Sequence, residues 1–212
     1  MKIDNYDSEK SSKDIKRKLV DFISEDYRML ICGPSGCGKT KVLMHILQKP
    51  IVVYYKVCIY TKFPEQDKYE KYREIMRPIS DRVGYEIVEI FGGDEIKTTT
   101  EYPKKCRKIV IFDDLVGEND KVQKLISDHF TQGRHCNISP IYLSQGYHET
   151  PKMVRKNYSH LALFDPDNMT HRNLIARENN FNPEIFPCLQ KYDFAFVDRI
   201  KKSVKKNFDE II

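Results

Sequence analysis

A chain of 212 residues carrying a formal net charge of +5 at pH 7 suits one α/β domain, with a core large enough to need neither disulfides nor structural metals. Its six cysteines include no C-x-x-C pair and no apolar stretch approaches the roughly 18 residues of a membrane span, so a soluble, intracellular protein with no membrane attachment is expected. The charge excess is modest, so nucleic-acid binding must rest on local clusters rather than on the total.

Residues 1–25 mix lysines with serines and acids around Ile15, Leu19, Val20 and Ile23, which predicts an amphipathic helical arm. The apolar run Met29 to Cys32 then reads as a buried strand, and the segment after it fits G-x-x-x-x-G-K-[ST] at every constrained position. That segment is Gly33, Pro34, Ser35, Gly36, Cys37, Gly38, Lys39 and Thr40. Glycines let backbone N–H groups turn inward around a β-phosphate, Lys39 reaches the β/γ oxygens, and Thr40 offers its hydroxyl to Mg²⁺. ATP or a related triphosphate with Mg²⁺ is the expected ligand of this loop.

Val42, Leu43, Ile46 and Leu47 repeat at helical spacing until Pro50. A second strand is expected from Val57 to Tyr60, a surface helix from Glu65 to Met76, an exposed strand from Tyr85 to Phe91 and a mobile loop from Asp94 to Cys106. Ile109 to Phe112 form a continuous apolar strand ending in Asp113 and Asp114, as in a parallel sheet covered on both faces. Ile141 to Ser144 is a further strand, with Pro140 placed at its start because proline lacks an N–H. Strands at Leu161 to Phe164 and Phe194 to Val197 alternate with helices near Pro151 to Lys156, His171 to Glu178 and Pro183 to Gln190. The result is an open, mainly parallel α/β sheet sandwiched by helices, divided into an arm (1–25), a P-loop domain (26–198) and a basic C-terminal tail (199–212).

Ligands of such sheets bind at the carboxyl ends of the strands, which gives the acids a task. Asp113 is expected to hold Mg²⁺ together with Thr40, and Asp114 to orient or deprotonate the attacking water. Gln145, following Ser144, can hydrogen-bond both the γ-phosphate and that water. This requires its strand to lie between the loop strand and the Asp113 strand. Arg134, in Gly133-Arg134-His135, is the candidate for a guanidinium offered to a neighbouring subunit's γ-phosphate, with Arg107 as its competitor. His129, His135 and Cys136 lack paired metal-ligand spacing. Lys97, Lys104, Lys105, Lys201 and Lys202 are candidates for contacts to DNA phosphates.

Taken together, GPSGCGKT, KIVIFDDL, TQGRHCNISPIYLSQ and PKMVRKN resemble the FtsK/HerA-type ATPases that package viral genomes, in the poxvirus and giant-virus branch that virophages share. The resemblance covers roughly Arg28 to Phe164. It implies an additional-strand P-loop ATPase that assembles into a pentameric or hexameric ring and drives double-stranded DNA into a preformed capsid, with a capsid protein as partner. It also implies a viral protein working in the host-cell cytoplasm or with the virion. Lys39, Thr40, Asp113, Asp114 and Gln145 carry over as nucleotide and catalytic positions and Arg134 as the arginine finger. Asp114 departs from the pattern, standing where many relatives have glutamate. Two other readings stay open at this point: a nucleoside or nucleotide kinase, in which the loop strand would lie directly beside the Asp113 strand, and a non-catalytic scaffold whose assembly ATP controls.

Overall fold

The computed structural model describes residues 27–48, 56–104, 106–208 and 210–211. The expected arm at 1–25, the stop at Pro50 and the candidate Lys105 lie outside them. Among the described residues, nine strands form one sheet in the order β3-β2-β4-β5-β1-β6-β7-β8-β9. In chain order they are β1 (Met29–Cys32), β2 (Lys56–Thr61), β3 (Val88–Gly92), β4 (Lys108–Asp113), β5 (Ile138–Ser144), β6 (His160–Phe164), β7 (Phe194–Asp198), β8 (Ser203–Lys206) and β9 (Glu210–Ile211). Strands β1 to β6 pair in parallel, and β7, β8 and β9 complete the sheet antiparallel.

Alternation along the strands divides the core in two. Met29 and Ile31 of β1 face α1 (Lys39–Gln48) and α2 (Asp67–Val83), packing with Leu43, Ile46, Tyr69 and Tyr72. Leu30 and Cys32 face the other layer, with Val122, Ile126 and Phe130 of α3 (Asp120–Gln132), Val154 of α4 (Lys152–Asn157) and Ile175 of α5 (Met169–Asn179). Central strands buried on both faces must be apolar throughout, which is why β1 and Ile109–Phe112 of β4 show no alternation in sequence.

Four expectations need correcting. Pro140 is not at the start of its strand but inside β5, opposite Val110. The Lys108 N–H donates to the Asn137 carbonyl, which turns the odd-numbered residues of β5 toward β4 and Pro140 toward β1. The ladder to β1 accordingly begins at the next residue, Ile141. The stretch from Asp94 to Cys106, expected as a mobile loop, holds two 3₁₀ turns and buries Ile96, Thr99 and Tyr102, the last joined to the Tyr60 hydroxyl at 2.8 Å. The helix expected at Pro183 to Gln190 is a 3₁₀ helix over Pro183–Cys188, with Pro187 inside it. The basic stretch 199–212 contains β8, where Val204 pairs with Val197, and Phe208 packs edge-on against Phe194 and Phe196. Hydrophobic residues between the lysines, rather than the lysines, decide where it goes.

Two fully buried histidines give the fold an acid limit. His129 sits edge-on to Tyr102 and Phe112, and His160 stacks on Phe196 with its Nδ1 2.9 Å from the Ser159 hydroxyl. Burial lowers both pKa values, that of His160 to about 4 despite the pull of Asp198 in the opposite direction. Unfolding exposes them to their ordinary pKa of roughly 6.5, so the unfolded chain binds more protons below that pH. Stability from these groups is therefore complete above roughly pH 6.5 and is lost as pH falls toward the folded-state values, at up to about 1.4 kcal/mol per pH unit for each histidine. Urea midpoints should hold between pH 7.5 and roughly 6.5 and fall from there to pH 5, and His160→Gln should flatten the fall.

Candidate functional site

β1 delivers the chain to the carboxyl edge of the sheet, and the Gly33 N–H donates to the Ser144 carbonyl at 3.2 Å, tying the loop's first residue to the end of β5. A Cβ on Gly33 would stand 2.5 Å from the Phe164 Cβ, so no side chain fits there. Gly38 has φ +113°, a backbone region that only glycine enters cheaply, and α1 starts at the next residue. Pro34, Ser35 and Gly36 are exposed, with the helix's positive end behind them. Lys39 Nζ donates to the carbonyls of Gly33 at 2.6 Å and Pro34 at 2.8 Å, which folds its ammonium back over the loop. Burial raises the pKa of Cys32 to about 12 and raises that of Cys37 as well, Lys39 opposing the rise in both, so both thiols stay protonated.

β5 lies between β1 and β4, the arrangement that the reading of Gln145 required. A cleft of ≈ 290 Å³ is lined by Ser35, Gly36, Gly38, Lys39, Thr40 and Lys41 of the loop and α1, by Gln66 and Lys68 at the start of α2, and by Asp113, Asp114, Leu143, Ser144 and Gln145. The sheet thus brings the phosphate loop, both acids and the amide to one place. Asp113 closes β4 and is 6% exposed. Asp114 follows at φ +57°, a left-handed conformation that aspartate tolerates better than most residues, and the Gln145 Nε2 donates to its Oδ1 at 3.0 Å.

Two residues absent from the sequence-based set hold Asp113 in place. The Tyr69 hydroxyl donates to Asp113 Oδ2 at 2.6 Å, and burial together with the Asp113 charge pushes its pKa up, which keeps it a donor. Lys68 Nζ lies 2.9 Å from the same Oδ2 and 3.4 Å from Thr40 Oγ1. One cation therefore bridges the hydroxyl and the carboxylate expected to hold magnesium. Hard oxygen donors flanking a positive charge are what that ion takes, so Thr40 and Asp113 fit it. The signal for Lys68 was its position in the first turn after β2, beside β4.

The remaining candidates lie elsewhere. Arg134 is exposed in the 3₁₀ turn Gly133–Cys136 ahead of β5, at the amino edge of the sheet; burial, and after it the Arg134 charge, lowers the pKa of Arg28. Arg107, preceding β4, lies at the same edge. Exposed Lys104 lies there as well, its carbonyl accepting from Asn137, and Lys201 and Lys202 occupy the β7–β8 turn at that edge. Lys97 instead follows β3 near the carboxyl edge, 3.7 Å from Glu89 and 4.5 Å from the centre of the Phe91 ring. The four described lysines do not form one cluster.

Comparison with known proteins agrees with this geometry. DNA packaging protein OPG160 of Variola virus is 29% identical over 144 residues, 66% of this chain and 53% of the relative, and that of Vaccinia virus (strain Copenhagen) matches equally. The chain spans about half the length of the curated relatives it matches. Among solved structures, the genome packaging NTPase B204 from Sulfolobus turreted icosahedral virus 2 in complex with AMPPCP superposes with a TM-score of 0.66 at 17% identity, over 87% of this chain and 98% of that one. B204, the DNA-packaging ATPase from Sulfolobus Turreted Icosahedral Virus, gives 0.65 at 18% over the same shares. At these identities the likeness is one of fold. The profile of the family described as Poxvirus A32 protein matches residues 14–184, well over half of the chain, and this protein belongs to that family.

Proposed function

We propose that this chain is the ATP-hydrolysing motor that drives double-stranded viral DNA into a capsid. The observation that carries the reading is the convergence of Asp113, Asp114 and Gln145 on the phosphate loop across an inserted β5. A nucleoside kinase is disfavoured by that same strand, because β1 and β4 are not neighbours. A passive ATP-controlled scaffold has no use for an aspartate and an amide held 3.0 Å apart at the mouth of the cleft. The relatives' names, DNA packaging protein and genome packaging NTPase, point the same way.

Chemically, the loop amides and Lys39 hold the β- and γ-phosphates, and Thr40 and Asp113 hold magnesium, which when bound neutralises charge developing on the phosphoryl oxygens. Asp113 is fixed by the Tyr69 hydroxyl. Gln145 and Asp114 orient the attacking water, and Asp114 accepts its proton. Arg134, too far around the sheet to serve its own cleft, supplies transition-state charge to the next subunit in a pentameric or hexameric ring. Lys104, Lys201 and Lys202, sharing one edge, are the stronger candidates for DNA phosphates. Contacts of that kind carry no sequence information, which suits movement along any duplex.

ATP turnover should rise when double-stranded DNA of any sequence is added, and the plot of log affinity against log salt should have a slope of about −0.9 for each phosphate neutralised. Turnover indifferent to DNA, or phosphate transferred from ATP to a nucleoside, would contradict the motor.

A further inference from the structure

Lys68 occupies a position that electrostatics alone does not favour. It is the second residue of α2, whose amino end carries positive partial charge, and the Gln66 side chain makes no capping bond there. Its partners offset this. The ammonium lies 2.9 Å from Asp113 Oδ2, 3.4 Å from Thr40 Oγ1 and 4.7 Å from the centre of the Tyr69 ring. The Asp113 side chain is 9% exposed, and a carboxylate so enclosed needs a counter-charge. Of the other lysines lining this cleft, Lys39 is engaged with the Gly33 and Pro34 carbonyls and Lys41 lies 5.2 Å from the centre of the Tyr192 ring.

We propose that Lys68 is a tethered counter-ion, neutralising Asp113 in the absence of metal and yielding its place between Thr40 and Asp113 to magnesium when nucleotide arrives. This rests on Thr40 and Asp113 being the metal ligands. The Lys68 side chain is 31% exposed, and its flexible four-carbon stem lets the ammonium withdraw without movement of α2. Magnesium alone must displace a cation already bonded to both oxygens. Magnesium with a triphosphate brings anionic oxygens that give the displaced ammonium new partners in the same cleft. The exchange makes metal binding conditional on nucleotide.

Thermal melting in EDTA and over a MgCl₂ titration tests this, with wild type, Lys68→Met, Lys68→Arg and the double variant Lys68→Met/Asp113→Asn. Lys68→Met should melt several degrees below wild type in EDTA and be restored by Mg²⁺ with a midpoint about tenfold lower than wild type requires. Lys68→Arg should stay close to wild type, and the double variant should lose both effects. Should Lys68→Met not fold, folding of the double variant supports the counter-ion role and its failure overturns it. Equal melting and equal Mg²⁺ midpoints for wild type and Lys68→Met overturn the proposal alone, provided wild type still needs Mg²⁺ to bind a fluorescent ATP analogue tightly. Binding of that analogue independent of Mg²⁺ would overturn the metal assignment and the counter-ion with it.

Discussion

Lys39→Ala protein is expected to melt as wild type does and to turn over ATP about 10²- to 10³-fold more slowly. The stability half follows from what Lys39 touches: its side chain is half-exposed and its bonds go to the carbonyls of Gly33 and Pro34. Water replaces those bonds at little cost. The catalytic half follows from charge, since in the proposed mechanism the ammonium meets the β/γ oxygens. A second reading checks that the loop itself survives. Lys39 counters the rise in the Cys37 pKa, so its removal should make the Cys37 thiol slower still toward maleimide rather than faster. A variant that keeps full turnover would remove the loop from the chemistry, and one that melts early with a fast-reacting Cys37 would show a collapsed loop.

Arg134→Ala should lower turnover by about 10³ to 10⁵, the range that a guanidinium in trans contributes where it has been measured. The residue is exposed on a turn that makes no contact with its own cleft, so the substitution should leave melting unchanged. Mixing supplies the sharper test. Arg134→Ala subunits keep an intact loop, and Lys39→Ala subunits keep an intact arginine, so rings formed from both should regain activity that neither has alone. A loss under tenfold without recovery on mixing would move the role to Arg107, which shares the same edge of the sheet.

The phosphate loop, the two acids and the amide were readable because each is local: a glycine pattern, an apolar strand ending in acids, a strand ending in Ser144-Gln145. The placement of β5 between β1 and β4 was readable because the amide's chemistry demanded it. Lys68 and Tyr69 were not, because their partner Asp113 lies more than forty positions away in sequence and a Lys-Tyr pair in a charged helix looks like solvated surface. Pro140 was misplaced because the rule against proline in central strands holds within a full ladder, and here the ladder to β1 begins one residue later. The segment 199–212 looked like a tail because five of its first eight residues are basic. Val204 and Phe208 were enough to dock it.

β5 has a mechanical meaning beyond its place in the sheet. The turn bearing Arg134 ends two residues before it, and Gln145 is the residue after it. Seven strand residues span about 23 Å with no hinge. In a ring where Arg134 serves the adjoining site, a single stiff rod runs from the amide that feels one γ-phosphate to the guanidinium that completes the next. Loss of phosphate at one site would then be felt at its neighbour as a displacement of that rod, giving the subunits a fixed firing order without any separate relay.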